Sequence, residues 1–256
     1  MKLNTQDLNK KLEQEQEKYT TLNLLENTQL LVMSGSTVYG ANTATSDVDY
    51  KGVVMNNLEG LVGLEKFSQV NTAGKKSTKT LSDEVDLVLL SLEKFNYDFS
   101  RCHYNAMQMV MTNNEFYTKL TPLGERMVEE FPKFNCKYAE KTFKGLSFSS
   151  VKEAKKEFET TGVLNGKHLY HAVNYVSLGV EYAKEGQFLT YSKERSQLLQ
   201  SVRAGEVFTS FEEFEKYYKE LEEQLTLEFS KNKMPETMNK EGLSKLVTEL
   251  YKEFLF

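Results

Sequence analysis

A chain of 256 residues is long enough to bury one large core, or a core with a helical companion. Its 39% hydrophobic and 27% charged residues, with only 3 prolines, exclude a disordered or fibrous protein. A formal net charge of −5 speaks against a general nucleic-acid coat, and two cysteines without a CxxC pair speak against a disulfide frame or a zinc site.

The first 25 residues place Leu3, Leu8, Leu12 and Tyr19 among charges, a weak helical period that predicts one amphipathic helix. This polar start lacks the apolar stretch of a signal peptide, and no later run is long and apolar enough to span a bilayer, so the cytosol is the expected address and no membrane partner is expected. Gln29 to Met33 reads as a strand stopped by Ser34-Gly35, and Val48 to Met55 as a second, β-branched strand ended by Asn56-Asn57. Gly60 to Ser82 is expected to mix short elements with a loop bearing Lys75, Lys76 and Lys79. Val85 to Leu92 predicts a third strand that runs directly into a helix.

Beyond Ser91 the period becomes helical. Met107, Val110 and Met111 recur at three and four residues, as core positions do, and Cys102 and Cys136 are expected as buried thiols. Pro132 marks a helix start and Gly145 its end; Lys167 to Lys184 predicts another helix closed by Gly186. Ser210-x-x-Glu213 is a capping box before the stripe Phe211, Phe214, Tyr218, Leu221, Leu225 and Phe229, and a last helix carries Leu243, Leu246, Leu250 and Phe254. The pattern is α/β first and all-helical second, with a soft boundary near residue 95.

Chemistry concentrates in the stretch LVMSGSTVYGANTATSDVDYKGVVM, Leu31 to Met55. Asp47 and Asp49, two apart in an extended segment, project from one face roughly 6 to 7 Å apart. Such a pair of like charges makes sense around a hard divalent cation such as Mg²⁺. Gly35 at the strand end allows close backbone approach to a phosphate, and Ser36 offers its N–H and hydroxyl to phosphate oxygens. Metal and phosphate cradle together describe a nucleoside triphosphate site. Farther on, the charge is uneven: Phe131 to Lys156 holds seven lysines against two glutamates, whereas Glu206 to Ser230 holds eight glutamates and two lysines. Lys133, Lys137, Lys141 and Lys144 would form one basic stripe on a helix, flanked by Phe134 and Tyr138, able to follow a phosphate backbone as an acceptor-binding face or simply to be solvated. His168 and His171 share a helical face and serve either a triphosphate or metal, or a neighbouring backbone or carboxylate group.

Gly-Ser, ten intervening residues and Asp-x-Asp resemble the motif of the DNA polymerase β-like nucleotidyltransferases. With Tyr39-Gly40 and Gly52-Val53, the string resembles more closely the RNA repair pathway DNA polymerase beta family. The resemblance continues through DLVLLSLEKF, NAMQMVM, the helix of KHLYHAVNYVSLGVEYAKEGQ, LLQSVRAGE and KMPET. It implies an α+β fold: a polymerase β-like nucleotidyltransferase domain with a short mixed sheet and flanking helices over residues 1–95, then an all-helical region over 96–256 that completes the cleft and binds acceptor. It implies catalytic, metal-holding carboxylates Asp47, Asp49 and Asp86, with Asp83 or Glu84 as the third carboxylate if the register slips. Gly35, Ser36, Tyr39, Lys167, His171 and Arg203 would hold nucleotide. The chain departs from the family where Gln108 stands for a usual glutamate and Asn174 for a common arginine.

The activity implied is transfer of an NMP from an NTP to an acceptor hydroxyl, RNA foremost, with two Mg²⁺ or Mn²⁺ ions and release of pyrophosphate. A protein or small-molecule acceptor, and a nucleotide-binding sensor without turnover, are the alternatives. The sequence carries no signal for the base chosen or for oligomeric state.

Overall fold

The computed structural model describes residues 5–44, 46–64, 66–72 and 85–256. Lys75, Lys76, Lys79, Asp83 and Glu84 lie outside the described residues. The amphipathic start divides into α1 (Thr5–Gln16) and a single turn α2 (Leu24–Asn27), whose N-cap Asn23 accepts from the Glu26 amide. Then follow β1 (Thr28–Ser34), α3 (Gly35–Val38), β2 (Val48–Val54), α4 (Leu58–Val62), β3 (Gln69–Asn71) and β4 (Val85–Ser91). Ser91 caps α5 (Leu92–Ser100), and α6 (Tyr104–Val110) leads to β5 (Tyr117–Leu120). The remaining helices are α7 (Pro122–Glu130), α8 (Ala139–Thr161), α9 (Gly166–Glu185), α10 (Lys193–Ala204), α11 (Phe211–Lys231) and α12 (Lys240–Leu255).

The strands form a five-stranded sheet in the order β3-β4-β2-β1-β5, with β2 and β4 parallel and the other pairs antiparallel. This is the mixed sheet with flanking helices expected of an α+β protein. Alternation on β2 and β4 sets the faces: Tyr50 and Leu87 point into the core, while Asp49, Lys51 and Asp86 are half-buried on the other face. Helices α5, α6 and α7 pack on the sheet, α8, α9 and α11 pack on one another, and one hydrophobic cluster runs through both regions.

Three expectations need correction. β5 lies inside the stretch read as helical; its four residues are all half-buried at a sheet edge, too short to carry a period, and β1 supplies the pairing. Pro132 opens only a 3₁₀ turn, Phe131–Phe134. α8 then runs straight through Gly145 to Gly162, a left-handed cap at φ +71°. One helical glycine costs roughly 1 kcal/mol, which the burial of Phe143 and Ala154 outweighs.

Candidate functional site

The strand ends gather the acidic residues. Register places Ser34 of β1, Asp49 of β2 and Asp86 of β4 in one row across three strands, with Asp47 just ahead of Asp49 at the exposed strand start. Asp86, drawn from the sequence only by resemblance, thus sits beside Asp49. Burial pushes the Asp49 carboxyl up from its ordinary range, and the charges of Asp86 and Asp47 add to that, while Lys51 and Lys167 oppose it. Asp86 is raised by burial and by Asp47, with Lys11 of α1 opposing.

Gly35 follows as a steric necessity. Its φ is +67°, and a Cβ there would come within 1.9 Å of an Asp49 carboxylate oxygen. The backbone at Gly35 therefore abuts the carboxylate, and any side chain would push it away. Ser36, half-exposed, follows directly in α3. The Ser34 hydroxyl in the same row is buried without a hydrogen-bond partner.

Lys51, two residues beyond Asp49 on the same face, is the member that motif reading missed, although the period of two along the strand could have found it. Its ammonium donates to Asn105 Oδ1 at 2.8 Å and to Gln108 Oε1 at 2.7 Å. Burial lowers its pKa to about 8, against the pull of Asp49. Gln108, fully buried, donates in turn to the Tyr39 hydroxyl at 3.2 Å, and that hydroxyl lies 2.7 Å from Tyr104 Oη. Because residue 108 is a neutral amide where the resembled motif carries a glutamate, it fixes Lys51 in place without neutralising it. Tyr39 is consequently a buried support for this network and is not open to a nucleotide, a correction to its sequence-based placement.

The first turns of α9 carry Lys167 and His171, and the last turn of α10 carries Arg203. Lys167 is close enough to Asp49 to lower its pKa, and Asp49 in turn helps raise that of Tyr170. The Arg203 guanidinium lies 5.2 Å over the Tyr170 ring and donates to the Ala41 carbonyl, which anchors the loop before Asp47. His171 is pushed down to about 4 by burial and by Lys167, His168 and Arg203, and its Nδ1 is buried without a hydrogen-bond partner. An imidazole in this setting is neutral at pH 7. Asn174, one turn further on, is fully buried with both amide atoms unpartnered.

The lysine stripe is not continuous. Lys133 sits in the 3₁₀ turn, the extended Asn135 breaks the period, and only Lys141 and Lys144 belong to α8. Lys133 pairs with Glu130 at 2.7 Å, Lys137 with Glu236 at 2.9 Å and Lys144 with Glu140 at 2.7 Å, whereas Lys141 lies 5.1 Å over the Tyr138 ring.

The acidic row fits a hard divalent cation in the kind of its donors: carboxylate oxygens on one face, two of them with a raised pKa that a cation would lower. Among the described residues, no three acidic, histidine or cysteine side chains converge into a ready-made metal cage. No helix among them is long and apolar enough to cross a membrane.

Residues 5–250 match the family model described as the RNA repair pathway DNA polymerase beta family. Among curated proteins, none matches the chain.

Proposed function

Since the chain belongs to the RNA repair pathway DNA polymerase beta family, we propose that it transfers an NMP from an NTP to the hydroxyl of an RNA acceptor and releases pyrophosphate. The observation that carries this reading is the row Asp49–Asp86, in register across parallel strands and abutted by the side-chain-free backbone of Gly35.

Asp47, Asp49 and Asp86 would hold the divalent cations, Mg²⁺ or Mn²⁺, which when bound supply charge neutralisation to the triphosphate and acidify the attacking hydroxyl. Gly35 allows the phosphates to approach, and Ser36 offers its N–H and hydroxyl to their oxygens. Lys167 and Arg203 supply positive charge, and neutral His171 is free to hydrogen-bond through a ring nitrogen. Lys51, pinned by Asn105 and Gln108, places a cation near Asp49 that opposes the rise of its pKa. The acceptor oxygen attacks the α-phosphorus in line, its proton passes to Asp86, and pyrophosphate departs with the electron pair of the broken P–O bond. Such chemistry is mainly positioning and charge stabilisation.

A pyrophosphate-release screen of the four NTPs with Mg²⁺, against RNA, protein extract and buffer alone, tests the proposal. Release that requires RNA and disappears in Asp49→Asn and Asp86→Asn is the expected result; release unchanged in both variants would refute it. A nucleotide-binding sensor is the second reading, favoured by Gln108, a neutral amide bound to Lys51 where the resembled motif carries a glutamate. Calorimetry showing tight NTP binding without pyrophosphate release would select it.

A further inference from the structure

Linked to Lys51 through Asn105 is a cavity of about 630 Å³, within the span of about 300 to 1,000 Å³ usual for small-ligand sites. It is walled by the end of α5, the start of α6, the first turns of α8 and Tyr175 of α9. Asn105 belongs to both places: it lines the cavity and accepts from the ammonium of Lys51, which stands two residues from Asp49. None of Gly35, Ser36, Lys167, His171 or Arg203 lines it, so it is separate from the groups assigned to the triphosphate.

The lining combines cations and aromatic rings. Arg101 and Lys141 supply the positive charge, and His103 also lines the space; its single carboxylate, Asp98, is held by Lys94 at 2.6 Å. Tyr138 is 42% exposed, and the Lys141 ammonium lies 5.1 Å over its ring. Tyr104 and Tyr175 meet edge to face at 5.1 Å, and Tyr104 stacks on Phe188 at 5.9 Å, which makes the inner wall stiff. In a chain of net charge −5 this is a local reversal of sign. Rings for bases and cations for phosphates, side by side, are what a single strand of nucleic acid requires.

We propose that this cavity seats the unpaired end of the acceptor RNA, one base stacked on Tyr138 and its phosphates on Arg101 and Lys141, so that the terminal hydroxyl passes Asn105 toward Asp86. The inference rests on the nucleotidyltransferase reading and moves the acceptor path from the four-lysine stripe to a pocket that takes only Lys141 from it.

Binding of a fluorescein-labelled uridine octamer, followed by anisotropy in EDTA and so without turnover, tests it. Tyr138→Ala and Lys141→Ala should each weaken binding by about fivefold or more, and Tyr138→Phe should bind as wild type. Lys141→Ala should also reduce the salt slope by about 0.7, while Tyr138→Ala leaves the slope unchanged; Lys152→Ala, exposed on the same helix outside the pocket, serves as the control. Equal affinities in all variants would overturn the proposal. So would displacement of the octamer by ATP together with weakened ATP binding in the pocket variants, which would give the pocket to the NTP. No RNA binding by wild type, with pyrophosphate still released on a protein acceptor, would overturn the RNA seat and leave nucleotidyl transfer standing.

Discussion

The sheet face around Asp49 and the bundle of α8, α9 and α11 are built on opposite terms. Where α11 packs on α9, away from the unpartnered His171 and Asn174, local rules and burial agree: Ser210 caps α11 by accepting from the Glu213 amide, and Leu225 packs against Gly179, where a Cβ would come within 2.7 Å of it. On the sheet face they conflict. Carboxylates crowd one another, Lys51 is buried as a cation, and the Ser34 hydroxyl has no partner. Groups set at odds in this way mark the sheet face as the candidate binding region, whereas the contact of α11 with α9 serves stability.

Substitutions that pull the two regions apart test this contrast. The largest effect is expected at Asp49→Asn, with transfer reduced on the order of 10² to 10³-fold or more, as when one charge-stabilising group is lost. The same variant should melt higher than wild type in EDTA at pH 7. Asp49 has a raised pKa when folded, so its contribution to stability is present at low pH and lost as pH rises through that pKa. The gain in melting temperature should accordingly shrink as pH falls into the carboxyl range. A large drop in melting temperature at pH 7 would make the carboxylate structural and erase the contrast.

Next comes Leu225→Ala in the bundle, expected to lose about 2 to 5 kcal/mol in urea unfolding while the folded fraction keeps its transfer rate. Loss of rate without loss of stability would show that the bundle belongs to the chemistry. His171, which lies between the regions, should give an intermediate signal. Its folded pKa is about 4 against 6.5 for the free imidazole, so the unfolded chain gains the proton first, and stability present above pH 6.5 is lost toward pH 4. His171→Phe should flatten that part of the stability profile, by on the order of 3 kcal/mol at most; an unchanged profile would show His171 to be uninvolved in acid sensitivity. The smallest effect is Ser210→Ala, about 1 kcal/mol of stability and no change in NTP binding, read by thermal melts and calorimetry.

Where the sequence could be read and where it could not follows the same division. The first strand, the Asp-x-Asp strand and the strand leading into α5 were legible because period and turn residues are local properties, as were α9, α11 and α12 with their caps. Asp47 and Asp49 announced themselves by spacing, and Gly35 by its place at a strand end. The capping box closes one residue early, with the Glu213 carboxylate accepting from Thr209 at 2.8 Å, a shift that backbone geometry alone decides.

Period and spacing therefore determined the acidic strand, its glycine and the helical second half, because each depends on residues a few places apart. Only the tertiary structure decided that Lys51 would meet Asn105 and Gln108, 54 and 57 residues away, that Tyr39 would be sealed beneath them, and that β5 would pair with β1. It also decided that the lysines of one apparent stripe would turn to separate carboxylates while Lys141 faces a cavity. Such contacts depend on how elements dock, and docking is fixed by the packing of whole surfaces, which no local pattern encodes.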